Sequence, residues 1–302
     1  MPDKRLRVPG EWNASQRHGH AGFGRAEIAI GGGRIGSARI DNSATLWSGA
    51  LRMVTPEEHR RMADCEDTLW HYAALHGNVR RALLRCGLPA DAVVLDAGCG
   101  TGGLLRRLRH WWPQAHLAGV EFSAFAVGLA RVRTDCPVDE GSVLALMYPD
   151  ASFDAITCVD VVYQFQDPAV AYREFARCLR PGGVVVVNEP AHRWLFSYHD
   201  VSVGGRHRFG RRQLMGLLRA AGLEPVYSTY WNFLPLPLVW ARRKLLPAPK
   251  GSDVGEYPWW VAGPMRAMMA LERVWLDLGG RFPCGVSVLV AARKPLVSPA
   301  AR

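Results

Sequence analysis

Two clusters of residues in this chain have the types and spacing for chemistry. The first is Val94-Leu-Asp-Ala-Gly-Cys-Gly-Thr-Gly102, an apolar run that reaches Asp96 and passes through Cys99 into a glycine-rich turn. Gly98, Gly100 and Gly102 allow the backbone to turn tightly and to approach a ligand closely. Their spacing is G-x-G-x-G, not the G-x-G-x-x-G of dinucleotide-binding turns. Asp96 stands at the mouth of that turn. A carboxylate there repels a pyrophosphate but attracts a ligand carrying an ammonium and a sulfonium group. Glu121 closes a second apolar run about 25 residues later, where an acid can accept both hydroxyls of a ribose.

The second cluster follows a valine-rich run and reads Glu189-Pro-Ala-His192, Phe196-Ser-Tyr-His-Asp200 and Arg206-His207-Arg208-Phe209. His192, His199, Asp200 and His207 are four titratable side chains in one loop. One reading is a general base, with His199 the preferred residue and Asp200 fixing a neighbouring imidazole. The other is that the histidines hydrogen-bond the loop backbone and shape it. The spacing H-x6-H-D-x6-H matches no familiar ligand set, so no metal is expected. Trp70, His71, Tyr72, Tyr163, Trp194, Tyr198, Trp231 and Trp240 fall in segments expected around the same pocket. They suit an apolar or planar acceptor, although aromatic residues more often serve simply as core.

The elements that carry these residues follow from periodicity and punctuation. A helix is expected from Pro56, capped by Thr55 with Glu57 and Glu58 in its first turn. A second spans Gly77 to Cys86, stopped by Gly87 and Pro89. Short apolar strands are expected at 93–95, 117–120, near Val138, and at 153–159, 184–187, 224–230 and 286–292. Between them, helices are expected at 102–112, 123–131, 167–179 and 211–221. Valine-rich strands alternating with helices describe an α/β fold, a doubly wound and mostly parallel sheet covered on both faces. Within residues 231–282 the rhythm breaks. Pro258 to Leu278 reads as a helix with Val261, Met265, Met268, Leu271 (or Glu272) and Trp275 on one stripe. The expected organisation is an arm over 1–55, either flexible or a small hairpin from Ala26 to Ile40, and a helical lid over 56–90. The main domain follows over 91–294, with 231–282 as a lid insertion, and a tail over 295–302.

The segment from Val93 to Gly102, with Glu121, resembles the first two motifs of class I S-adenosylmethionine-dependent methyltransferases. Ser152-Phe-Asp154 with Ile156-Thr-Cys-Val-Asp160 resembles the fourth strand of that family. Leu179-Arg-Pro-Gly-Gly183 resembles its usual turn into the fifth. The likeness covers roughly residues 60–230 and the last strand, and it implies S-adenosylmethionine as cofactor. By similarity Phe122 and Gly141-Ser142-Val143 lie beside the adenosine, and Asp160 to Tyr163 face the methyl donor. The family often has an acid in the adenine loop; here Glu140 is displaced and Ser142 holds the position. The loop around Glu189, Tyr198 and His207 is similar to a bacterial branch acting on small or lipid-linked molecules.

Composition narrows the setting. Subtracting 27 acidic from 37 basic residues leaves +10, a balance that suits either an anionic partner or arginines spread over a solvated surface. The seven cysteines are scattered, which favours free thiols and a cytoplasmic location. Met1 to Gly10 has no apolar stretch, so no secretory signal is expected. The leading expectation is a biosynthetic enzyme that methylates a small-molecule acceptor, most simply on oxygen, with nitrogen or carbon behind it. An RNA methyltransferase is a weaker alternative, since no RNA-binding module is legible. A non-catalytic S-adenosylmethionine-binding protein is a third. The apolar-then-basic stretch from Leu234 to Lys244 suits a lid helix or, less readily, peripheral contact with a membrane surface.

Overall fold

A computed structural model describes residues 54–247, 255 and 257–296. The expected arm and its hairpin, apart from Val54 and Thr55, lie outside the described residues, as does the tail beyond Leu296. Seven strands form one sheet: β1 (Val93–Ala97), β2 (His116–Glu121), β3 (Val138–Glu140), β4 (Phe153–Val159), β5 (Leu179–Pro190), β6 (Glu224–Trp231) and β7 (Ser287–Arg293). Their spatial order is β3-β2-β1-β4-β5-β7-β6. The first five run parallel, and β7 enters antiparallel between β5 and β6. The strand order reverses direction at β1 and β4. The C-terminal crevice at such a point is where doubly wound sheets bind ligands.

The helices are α1 (Pro56–Cys65), α2 (Trp70–Arg85), α3 (Gly103–Trp111), α4 (Ala124–Arg133), α5 (Pro168–Cys178), α6 (Tyr198–Ser202), α7 (Arg211–Ala220), α8 (Leu236–Leu245) and α9 (Trp259–Asp277). Local sequence starts several of them. Thr55 accepts from the Glu58 amide at 3.2 Å, and Asp167 accepts from Ala169 at 3.0 Å; in each case a proline opens the first turn. Along β5, Val185 and Val187 enter the core on one face of the sheet, while Val184 and Val186 enter the core on the other. This alternation explains why the strand reads as continuous valine.

Two expectations are corrected. The helix expected from Gly77 begins seven residues earlier, at Trp70, because Leu75, Val79, Ala82 and Leu83 already form a buried stripe at helical spacing. That stripe packs into the core on one face of the sheet. On α9 the buried positions are Ala262, Met269, Glu272 and Leu276, so the face is rotated from the expected stripe, and Leu271 and Trp275 point outward. The rotation follows from Glu272, which turns inward to accept the amides of Asn232 and Leu234 at 2.9 and 2.8 Å.

Candidate active site

The turn after β1 holds Gly98, Gly100 and Gly102 at φ of 79°, 53° and 85°, a left-handed region that glycine alone enters at little cost. A Cβ on Gly98 would overlap the Val161 side chain, so this turn lies directly against the residue after Asp160. Asp96 is buried and accepts from the Thr157 hydroxyl at 2.7 Å. Burial pushes its carboxyl up to about 7 against that hydrogen bond, with Glu66 and Glu121 adding repulsion. Glu121 accepts from the Gly100 amide at 3.0 Å and the Ser123 amide at 2.9 Å. A carboxylate has about four acceptor positions, so two remain for a ligand. The Gly141 amide bonds the Glu121 carbonyl at 3.0 Å, and Ser142 Oγ accepts from Leu144 at 3.2 Å. The 141–143 loop is thereby fixed beside Glu121, with Val143 buried and Phe122 exposed. Cys99 is buried, which pushes its thiol upward.

At the end of β4, Asp160 has φ of 55° and accepts from the Asn188 amide at 2.9 Å. Burial raises its carboxyl to about 7, while Asn188 and the Arg208 guanidinium pull it down. Asn188 in turn accepts from Trp231 Nε1 at 2.7 Å, so β6, β5 and β4 are joined by one chain of polar contacts at their ligand edge. Glu189 is fully buried and accepts from the amides of Val162 and Tyr163 at 3.1 and 3.2 Å. Burial holds its carboxyl well above the usual range. Trp231 and Glu189, both expected to line a pocket, are enclosed and support its wall instead.

The loop after β5 corrects one expected role. Asp200 is not given over to an imidazole: it accepts from Arg208 Nε at 2.8 Å and from the Ser197 amide at 2.8 Å. Both members of that ion pair are buried, and Arg208 also bonds the Ala191 carbonyl at 2.9 Å. The pair pins α6 to the end of β5. His199 is half-buried on α6, and Tyr198 lies under Arg242, whose guanidinium sits 5.5 Å from the ring centre. His192 is stacked between Trp194 and Tyr230, with ring centres 5.4 and 4.8 Å apart, and burial lowers its pKa. The Nε2 atoms of His192 and His207 are buried without a protein partner among the described residues. Such orphaned groups are uncommon.

Across the crevice, His71 lies 5.7 Å from Trp70, 5.7 Å from Tyr72 and 5.2 Å from Trp231, centre to centre. Burial drives its pKa down to about 4, keeping it neutral. Trp70 Nε1 and Asn232 Oδ1 are buried without protein partners there. Sequence reading missed Glu66, which accepts from Thr101 at 2.6 Å and Arg133 at 2.8 Å and locks the α1–α2 turn onto the glycine turn. A Cβ on Gly103 would overlap Glu66, so this approach depends on the glycine. Among the described residues no cluster could hold a metal ion.

Comparison with known proteins agrees with this geometry. A family described as a methyltransferase domain matches residues 69–228, more than half of the chain. The demethylmenaquinone methyltransferase of Roseiflexus sp. (strain RS-1) is 33% identical over 145 residues, 47% of this chain and 59% of that protein. The malonyl-[acyl-carrier protein] O-methyltransferase of Dechloromonas aromatica (strain RCB) is 39% identical over 164 residues, 50% of this chain and 61% of that protein. The chain thus spans less than two thirds of the length of either relative. In fold it is similar to a chain of the complex between the Haloferax volcanii Trm112 methyltransferase activator and a methyltransferase. That likeness has a TM-score of 0.54 at 21% identity, covering 80% of this chain and 96% of the other.

Proposed function

This chain belongs to the class I S-adenosylmethionine-dependent methyltransferases, and from that premise we propose that it methylates a small, largely apolar acceptor, on oxygen in the first instance. The observation that carries the reading is the pairing of Asp96 and Glu121 across the left-handed glycine turn, two carboxylates suited to a cation and a ribose. The residues fit the cofactor. The glycine turn leaves a cradle that side chains would fill, Asp96 offers charge to the ammonium end, and Glu121 keeps free acceptor positions for the ribose hydroxyls. The 141–143 loop, held beside Glu121, would meet the adenine. Bound there, S-adenosylmethionine supplies an activated methyl group on a sulfonium leaving group.

The protein's own work is then to align an acceptor and to take its proton. Alignment supplies much of the rate in such a transfer. The rings of His71 and Trp231, 5.2 Å apart, give this edge an aromatic character suited to a planar or apolar acceptor, and the demethylmenaquinone named for one relative is of that kind. As the new oxygen–carbon bond forms, the acceptor hydroxyl loses its proton, and Asp160 is the group best matched to receive it. It stands beside the glycine turn and has affinity for a proton near neutral pH. His192, His199 and His207 shape the acceptor side of the loop. The test is calorimetry with S-adenosylhomocysteine, followed by methyl transfer to short-chain naphthohydroquinones and alkyl phenols, read as a mass gain of one methylene. Binding of NAD(P) without binding of S-adenosylhomocysteine would overturn the reading.

A further inference from the structure

Helix α9 is apolar on two sides. Its inward side buries Ala262, Met269 and Leu276, with Glu272 accepting the amides of Asn232 and Leu234. On the opposite side Trp260, Pro264, Ala267, Leu271, Val274 and Leu278 follow one another at intervals of four, three, four, three and four residues. At 3.6 residues per turn these positions fall along one line of the helix. All six are exposed, Trp260 by 63%, Leu271 by 65%, Val274 by 53% and Leu278 by 79%. Trp275 rims the line on one side. It is 50% exposed, lies over Gly280 and donates from Nε1 to the Arg281 carbonyl at 3.4 Å. A surface helix normally carries one apolar stripe, turned to the core, and a second stripe marks a second packing partner.

Spacing, charge and area decide what covers this stripe. Alternation of three and four residues is the seam of paired helices, in which side chains of one helix enter the holes of another. None of the six positions is charged. Of the four charged residues on α9, Glu272 is turned inward and Asp277 accepts from Arg81 at 2.7 Å. The other two, Arg266 and Arg273, lie on the flank opposite Trp275. An uncharged stripe offers nothing to a charged partner, but it complements itself when a two-fold axis lays it antiparallel against its own copy. The stripe is about 27 Å long. Counting a large apolar side chain as roughly 200 Å², Trp275 and the four larger side chains of the stripe leave on the order of 600 Å² open. Two copies would bury about 1,200 Å² together, the lower end of the range for specific interfaces.

We infer that the outward stripe of α9 is a dimerisation surface, paired with the same stripe of a second copy of this chain. A partner there backs the 232–234 turn that Glu272 holds at the edge of the crevice. The test is analytical ultracentrifugation of the full-length protein over a concentration series. A reversible equilibrium is expected, from 33.4 kDa toward twice that mass, with a dissociation constant of roughly 1–50 µM for an interface of this size. Leu271→Glu sets like charges against each other near the two-fold axis and should weaken the dimer about tenfold or more. The double variant Leu271→Gln, Leu278→Gln should weaken it without adding charge, while Leu271→Met should keep it. At concentrations where the native protein is monomeric, all three should share its melting temperature and its affinity for S-adenosylhomocysteine, since these side chains are exposed. A native chain that stays monomeric at every concentration overturns the inference, whatever else covers the stripe. So does a dimer that neither Leu271→Glu nor the glutamine pair weakens. Cosedimentation of a monomeric native protein with phosphatidylglycerol vesicles, lost in the same two variants, would assign the stripe to a lipid surface and overturn it too.

Discussion

The Thr157 hydroxyl donates to the Asp96 carboxylate at 2.7 Å across β1 and β4, where the two residues are register partners. Both are buried, so the carboxylate has a single neutral donor close by where water would offer several. Burial wins over that one hydrogen bond, and the carboxyl lies near 7. Raising an acid's folded pKa above its unfolded value means that the folded state holds the proton more tightly. Without ligand, this group therefore costs stability progressively as pH rises from about 4 to about 7.

A cationic ligand reverses that balance by favouring the carboxylate. Binding of S-adenosylmethionine near pH 7 is expected to release about half a proton, seen as a dependence of calorimetric enthalpy on the buffer's ionisation enthalpy. Affinity should rise with pH up to about 7 and then level off. Asp96→Asn should abolish the proton release and weaken binding. Equal enthalpies in phosphate and Tris would show that Asp96 is already ionised before the ligand arrives.

Glu121 serves two purposes, since it braces the glycine turn through Gly100 and keeps acceptor positions for the ribose. Glu121→Ala is expected to weaken S-adenosylhomocysteine binding by about 1–3 kcal/mol, the cost of leaving polar groups unpaired. Glu121→Gln should fall between, because an amide still accepts one of the two backbone bonds. Full native affinity in the alanine variant would remove Glu121 from the cofactor site.

The buried pair Asp200–Arg208 predicts a failure of folding rather than of chemistry. Removing one partner strands the other charge, at about 3–5 kcal/mol. Asp200→Ala should therefore lower the melting temperature by roughly 6–20 °C on the usual scale for a domain of this size. The double variant Asp200→Leu, Arg208→Met should recover most of the loss, since well-packed apolar replacements of buried ion pairs are commonly tolerated. If Asp200→Ala melts like the native protein yet loses activity, Asp200 acts on the reaction after all.

What the sequence made legible was whatever repeats locally. Alternation of valine strands with capped helices announced the sheet, and the glycine turn with Asp96 and Glu121 announced the cofactor edge. Partnerships between distant residues were not legible. Asp200 beside His199 in sequence suggested an imidazole partner, but folding delivers Arg208 to it, eight residues on and in ideal reach. Glu272 stands in the sequence as an alternative to Leu271 on the α9 stripe, but only the return of 232–234 against α9 gives it amides to accept. Glu66 likewise meets Arg133 across 67 residues. These contacts depend on how elements pack, and packing leaves no periodic trace.

The chain Trp231–Asn188–Asp160 yields the sharpest test of the proposed proton acceptor. Trp231 Nε1 occupies Asn188 Oδ1, which leaves the Asn188 amide aimed at Asp160. That donor favours the ionised carboxylate and holds its pKa down against burial. With Asp160 as the base, kcat/KM should rise with pH through an apparent pKa near 7. Asn188→Ala removes the donor, so the limb should move to higher pH while the plateau above it is largely retained. Trp231→Phe frees the Asn188 side chain to rotate and should shift the limb the same way, by less. Asp160→Asn should lower kcat by ~10²–10⁴ with little change in S-adenosylhomocysteine affinity. A limb that stays fixed in Asn188→Ala while Asp160→Asn keeps native kcat would hand the proton to another group. His192 and His207, each with a buried and unpartnered ring nitrogen, would be the next to replace.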